Sequence, residues 1–309
     1  MKEGAAADEA VAESARRTAS RRELARHDGF EQVSPEVGQL DEDAFRQLMD
    51  EDPDRALALL ADLTSATDPR LRELARRLAG RIMLDVSRRG RARERGIGKM
   101  LTLPYRPDAG DLDLDASLEA LAEARAGGGW PDAERLRVRG WRKPATALCL
   151  VVDRSGSMGG GPLATSALAA AAVAHRAPED YSVLAFGPDV VVAKAQDRPK
   201  PAGQVVTDVL ALRGFGTTDL AGALRAAGAQ LQRSPAARRI AVLLSDCRAT
   251  VPGDVVSVAK GLDELCIVAP ASDADEARAL AESVGARLAT VDGPSQVVQA
   301  LAAVLGDSG

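Results

Sequence analysis

Asp153-Arg154-Ser155-Gly156-Ser157-Met158 follows the apolar run 145–152 and precedes Gly159-Gly160-Gly161 and an Ala-rich helical pattern. The stretch reads as a buried strand that ends in a tight loop and feeds a helix. Asp153, Ser155 and Ser157 occupy alternate positions, which turns them to a common side of that loop. All three offer oxygen, and hard cations such as Mg²⁺ take oxygen ligands. The loop therefore reads as half of a divalent-metal site. The plain alternative is a polar turn, because Asp, Ser and Gly are ordinary turn residues.

Working outward, the chain from 145 alternates strand and helix. Apolar strands are expected at 145–152, 181–186, 190–193, 239–245, 264–268 and 287–291. Helices are expected at 163–175, 203–211, 219–232, 254–260, 273–284 and 294–304. A continuous apolar strand such as Ile240-Ala241-Val242-Leu243-Leu244 is buried on both faces, as in a central parallel sheet. Only Gly187-Pro188-Asp189 separates the second and third strands, too little for a crossover, so these two form an antiparallel hairpin. The expected fold class is α/β: a doubly wound, mostly parallel six-stranded sheet with one short antiparallel edge strand.

Ligands of such sheets bind outside the carboxyl ends of the strands. Three loops should meet there: the Asp153 loop, Gly214-Phe215-Gly216-Thr217-Thr218-Asp219, and Ser245-Asp246 after the strand at 240–244. Together they supply hydroxyls and carboxylates toward the about six oxygens that satisfy Mg²⁺, with water as the remainder. Asp219 also suits a helix N-cap.

These three pieces, Asp153-x-Ser155-x-Ser157, Gly216-Thr217-Thr218-Asp219 and Leu243-Leu244-Ser245-Asp246, resemble the von Willebrand factor A (VWA) domain with its metal-ion-dependent adhesion site. The resemblance covers about 145–306 and implies a Rossmann-like fold. It implies that Ser155 and Ser157 bind the metal directly and Thr218 does so in at least some states, while Asp153 and Asp246 act largely through water or hydrogen bonds. Thr218 is preferred to Thr217 because the family places this Thr immediately before Asp or Asn and a helix. The implied ion is Mg²⁺, with Mn²⁺ or Ca²⁺ as alternatives. Arg154 departs from the small or polar residue often found there and is expected to pair with Asp246 or to meet an incoming acid.

The remainder of the chain divides into residues 1–41, a charged tail expected to be disordered or partly helical, 42–87, a small helical region, and 88–143, a basic linker and connecting segment, ahead of the VWA-like domain at 144–306. In the helical region, Asp52-Pro53 and Asp68-Pro69 each pair an N-cap with a proline at the first helical position. Leu71, Leu74, Leu78 and Ile82 then share one face, as do Leu57, Leu60 and Leu63. Trp130 and Trp141 are expected to anchor the connecting segment to the domain that follows. Arg88, Arg89, Arg91, Arg93 and Arg95 form a run that is either a solvated linker or a contact for an acidic partner. Gly96-Ile97-Gly98-Lys99 fails as a phosphate loop, since Met100 stands where Ser or Thr is needed.

Composition narrows the function classes. The 309 residues are 46% hydrophobic but only 3% aromatic, so the core must be built from Ala, Val and Leu. A net charge of -5 argues against general nucleic-acid affinity. Cys149, Cys247 and Cys266 show neither pairing nor metal spacing, which fits a reducing cytoplasm. Charged residues interrupt the N-terminus, and no apolar run approaches the ~20 residues of a membrane helix. With His27 and His175 alone, neither a Ser-His-Asp triad nor a His-built zinc site is supported.

The resemblance further implies a non-enzymatic adaptor whose metal captures a carboxylate from a partner protein. A helical N-terminal region before such a domain is similar to the bacterial CoxE-like group, which works with MoxR-type AAA+ ATPases in metal-cofactor insertion or complex remodelling. Two other classes remain: a metal-dependent hydrolase in which the ion activates water, and nucleic-acid binding through Arg88–Arg95.

Overall fold

Aspartate caps set the starts of the three longer helices between residues 41 and 89. The computed structural model describes residues 1–89, 99–105, 111–127, 131–132, 135–142, 146–154, 160–214 and 216–306. The chain divides into two compact units, residues 1–92 with 146–308 and residues 93–145. Short helices α1 (Ala5–Ser14), α2 (Arg21–Leu24) and α3 (Phe30–Val33) lead into α4 (Glu42–Glu51), α5 (Pro53–Leu63) and α6 (Pro69–Arg89). Asp52 accepts from the Arg55 N–H at 3.0 Å and Asp68 from the Leu71 N–H at 2.7 Å, as the two Asp-Pro pairs predict. Asp41 caps α4 in the same way.

Residues 1–41 are partly helical, one of the two alternatives expected, but they pack into the core instead of trailing from it. Leu24, Phe30 and Val33 are buried in the same core as the helices that follow. The apolar anchors are sparse and irregularly spaced, one or two per short helix, so no period betrays them. Lys2 also extends onto the domain's edge strand. Its N–H donates to the Val190 carbonyl at 2.7 Å, and the Val192 N–H donates back to its carbonyl at 2.9 Å.

The second unit holds β1 (Lys99–Pro104), β2 (Asp111–Leu112), α7 (Leu114–Gly127) and β3 (Arg137–Arg142), with an antiparallel sheet ordered β1-β3-β2. The sequence reading had only a linker and one helix here. These strands are short, β2 having two residues, and Pro and Gly lie in or beside them, which leaves too little length for a period to show. Asp113 fixes the junction by accepting from Thr102 Oγ1 at 2.9 Å and from the Ala116 N–H at 3.2 Å. The side chains of Trp130, Trp141 and the arginines from Arg89 to Arg95 lie outside the described residues.

The main sheet comprises β4 (Thr146–Asp153), β5 (Tyr181–Phe186), β6 (Val190–Lys194), β7 (Arg238–Leu244), β8 (Glu264–Pro270) and β9 (Arg287–Val291), ordered β6-β5-β4-β7-β8-β9. Only β6 is antiparallel, and it pairs with β5 as the short hairpin requires. The helices are α8 (Gly160–Arg176), α9 (Ala202–Ala211), α10 (Leu220–Leu231), α11 (Val255–Lys260), α12 (Asp275–Val284) and α13 (Val297–Leu305), the last preceded by a 3₁₀ turn at Pro294–Gln296. The doubly wound α/β class therefore holds.

The two faces of β4 divide the core. Leu148, Leu150 and Val152 pack with α8, α9 and α13, while Ala147, Cys149 and Val151 pack with α10, α11 and α12. The N-terminal helices form a further layer over the first face, with α5 and α6 against α8. That explains why α8 is apolar all round. Ala167, Ala170, Ala171 and Ala174 are buried because the helix lies between the sheet and a second layer of helices. Strand order reverses between β4 and β7, which is where a ligand is expected.

Candidate metal centre

Strand register brings the predicted loops together. β4 and β7 run parallel with Val152 opposite Leu244, so Asp153 and Ser245 leave the sheet side by side. The Ser245 hydroxyl donates to Asp153 Oδ2 at 2.6 Å and accepts from the Cys247 N–H at 2.9 Å. Asp246 follows, and its Oδ1 accepts from the Arg248 N–H at 2.9 Å. Cys247 has a φ of 65°, a left-handed conformation uncommon outside glycine. The sharp turn it makes directs Asp246 off the end of the strand.

The Thr218 loop is tied to the same edge from two sides. The Asp219 N–H donates to the Gly187 carbonyl at 3.2 Å, just past β5. The Thr218 N–H donates to Thr250 Oγ1 at 2.7 Å, and the Thr218 carbonyl accepts from the Thr250 and Val251 N–H groups at 3.1 and 3.2 Å. Thr218 is buried whereas Thr217 is exposed. Gly216 has a φ of 87°, and a Cβ there would stand 2.7 Å from Pro188 Cγ, so only glycine suits this turn. Asp219 takes the capping role, accepting from the Gly222 N–H at 2.8 Å.

Of the five residues predicted for the site, Asp153, Thr218 and Asp246 thus lie on one sheet edge. Ser155 and Ser157 fall outside the described residues. Arg154 is buried; its N–H donates to the Phe186 carbonyl at 2.8 Å. Burial lowers its pKa, and the nearby charge of Asp189 opposes that shift. An acid whose charge acts on Arg154 is thus Asp189, on the β5–β6 hairpin.

The electrostatics suit a cation. Burial holds the Asp246 carboxyl above the usual range, the Arg248 N–H works against this, and the charges of Asp153 and Asp273 push it further up. A positive ion between these carboxylates would favour their charged forms. Burial pushes the Cys247 thiol up to about 12, with Asp246 and Asp153 adding to the shift, so it packs as an inert thiol. Among the described residues no three His, Cys, Asp or Glu side chains form a metal cluster. A cation here would depend on hydroxyls and water as well as carboxylates, and that oxygen-only donor set fits Mg²⁺.

A cleft of about 400 Å³ opens beside Asp153 and Asp246 and extends toward Ser272 and Asp292. Two contributors escaped the sequence reading. Ser245 was visible only as the neighbour of Asp246, although its position at a strand end was a signal. Thr250 carried no signal at all.

Part of the chain resembles several solved structures. It is similar to a von Willebrand factor type A protein from Catenulispora acidiphila, at 17% identity over 53% of this chain and 42% of that one, with a TM-score of 0.40. It is also similar to an aerotolerance-related membrane protein from Bacteroides fragilis, at 12% identity over 52% of this chain and 98% of that one (TM-score 0.40). A third is the PilB minor pilin from Streptococcus sanguinis, at 13% identity over 53% and 62% of the two chains (TM-score 0.40). The chain spans less than half the length of the Catenulispora protein. No curated protein matches it. Residues 148–248 match the family model of the von Willebrand factor type A domain, and that segment contains Asp153, Ser155, Ser157, Thr218 and Asp246.

Proposed function

We propose that this protein is a Mg²⁺-dependent protein-binding adaptor. Asp153, Ser155, Ser157, Thr218 and Asp246 would hold the cation, with Mn²⁺ or Ca²⁺ as substitutes. The observation that carries the reading is that Asp153, held by the Ser245 hydroxyl, and Asp246, the next residue after Ser245, leave adjacent parallel strands at the strand-order reversal, with the Thr218 loop stitched alongside. A bound ion would supply one open position for an anionic oxygen. Neutral Ser and Thr ligands leave that ion underneutralised, so a carboxylate from a partner protein is the natural occupant. Asp153, fixed by Ser245, and Asp246, turned outward by Cys247, orient the oxygens. Asp219 holds α10, and through it the Thr218 backbone, in register.

The helical layer ahead of the domain supports the narrower proposal of a CoxE-like adaptor working with a separate MoxR-type AAA+ ATPase in metal-cofactor insertion or complex remodelling. The three free, buried cysteines are consistent with a cytoplasmic setting. Among the described residues no helix is long and apolar enough to cross a membrane.

The reading is of a binding module, not an enzyme, because Asp153 and Asp246 are the evident general bases of the site and the ion would engage both. Affinity capture from cell extract tests it. Partner retention is expected with Mg²⁺, and loss is expected with EDTA or with Ser155→Ala plus Ser157→Ala. Capture indifferent to both treatments overturns the proposal. Phosphatase and nuclease assays on pure protein are expected to be blank. Mg²⁺-dependent turnover abolished by Asp246→Ala would establish the hydrolase class instead.

A further inference from the structure

One carboxylate of the helical layer reaches the flanks of two metal loops. Asp62, near the end of α5, has 14% of its side chain exposed. Its Oδ1 lies 3.1 Å from Arg213 Nη2 and its Oδ2 lies 2.9 Å from His27 Nε2. Arg213 stands immediately before Gly214, where the Thr218 loop begins, and its own N–H donates to Ser14 Oγ at 3.0 Å. The other contact of Asp62 is with the start of α8. A Cβ on Gly160 would come within 3.4 Å of Asp62 Oδ2 and 3.7 Å of Ala58 Cβ. Gly160 is the first residue of α8, directly after the Asp153–Gly159 stretch, and its φ of +52° suits glycine. A carboxylate there also faces the positive end of the helix.

We infer that Asp62 is a positioning residue for the metal centre, holding the exit of the first loop and the entry of the second from the N-terminal layer. The inference rests on the metal-binding reading proposed above. Arg213 makes the arrangement demanding. Its side chain is only 18% exposed, and its Nε is buried without a hydrogen-bond partner among the described residues. Removing the Asp62 charge leaves that guanidinium without its carboxylate and frees Gly214 and Gly216 to turn differently. Outer partners of metal sites act in this way, by fixing the groups that carry the ligands.

Mn²⁺ binding to the full chain, measured by electron paramagnetic resonance and calorimetry, tests the inference. Asp62→Asn keeps the shape of the side chain and removes its charge, and Mn²⁺ affinity is expected to fall by about tenfold or more. Glu42→Gln removes an ion pair with Arg81 between α4 and α6, remote in sequence from the loops, and is expected to leave Mn²⁺ affinity unchanged. Equal weakening by both variants would make the effect one of general stability and overturn the inference, as would unchanged affinity in Asp62→Asn. If Asp62→Asn does not fold, Arg213→Gln carries the same prediction from the other side of the pair. Wild-type protein that binds no Mn²⁺ overturns the metal reading itself. Wild-type binding with unchanged variants overturns only the role of Asp62.

Discussion

Ser245 ties the Asp153 carboxylate to the turn that carries Asp246. It is 5% exposed, and its single hydroxyl both donates to Asp153 and accepts from the Cys247 N–H. Ser245→Ala would take a hydrogen-bond partner from a carboxylate oxygen and from a backbone N–H. The expected cost is about 1–3 kcal/mol, read from urea denaturation in the absence of metal. Mg²⁺ affinity by calorimetry is expected to drop by about tenfold, since Asp153 loses a hydroxyl that positions it. A variant with wild-type stability and affinity would show that water replaces the hydroxyl. At this scale the sequence was legible where chemistry and strand ends coincide, as at Asp153 and Asp246. For Arg154 it offered an acid to meet but not the burial, because no local pattern reveals that a charged side chain beside the loop is buried against the β5–β6 hairpin. Thr250 escaped for a similar reason, since its hydrogen bond to the Thr218 N–H crosses thirty-two positions of sequence.

The element on which both layers depend is α8. Strands and helices of the sheet were legible almost to the residue: β5 and β9 fall at 181–186 and 287–291 as expected. Apolar runs with turns between them leave few alternatives in a parallel sheet. The Ala-rich segment gave the helix but not its surroundings. Ala167, Ala169, Ala170 and Ala171 are each 0% exposed, because α5 and α6 cover the side turned from the sheet. Small side chains let three layers approach closely, and close packing leaves no room for growth. Ala170→Leu is therefore expected to destabilise the protein by about 1–3 kcal/mol in thermal or urea unfolding. Ala279→Leu, on the exposed side of α12, is expected to stay within about 0.5 kcal/mol of wild type. Equal stability for the two variants would mean that α8 has slack, and that the helical layer rests on it loosely.

For the molecule as a whole, the N-terminal helices and the α/β sheet share one core. Leu57, Leu60, Leu78 and Met83 lie in the same buried cluster as Leu168, Val173 and Val205. The sequence reading separated a helical region from the sheet domain, because amphipathic patterns report that a face is buried without reporting against what. The same cluster receives Phe30 and Val33 from the segment expected as a tail. Polar ties reinforce the junction, among them Ser14 to Arg213, Asp62 to Arg213, and Asp54 to the Ser295 N–H at 2.7 Å. Gly293 permits the last of these, because a Cβ there would fall 2.4 Å from the Asp54 carboxyl. A fragment of residues 146–306 would expose the outer face of α8 and α9 and leave the Arg213 side chain without Asp62. Exposed apolar surface of that extent favours association over folding. The fragment is expected to be insoluble or to lack dispersed amide resonances. Co-expression with residues 1–89 is expected to restore solubility and a cooperative melt. A soluble fragment that unfolds cooperatively by itself would show instead that the sheet domain is autonomous. The helices would then be a docked accessory, and their hold on the metal loops through Asp62 would be separable from folding.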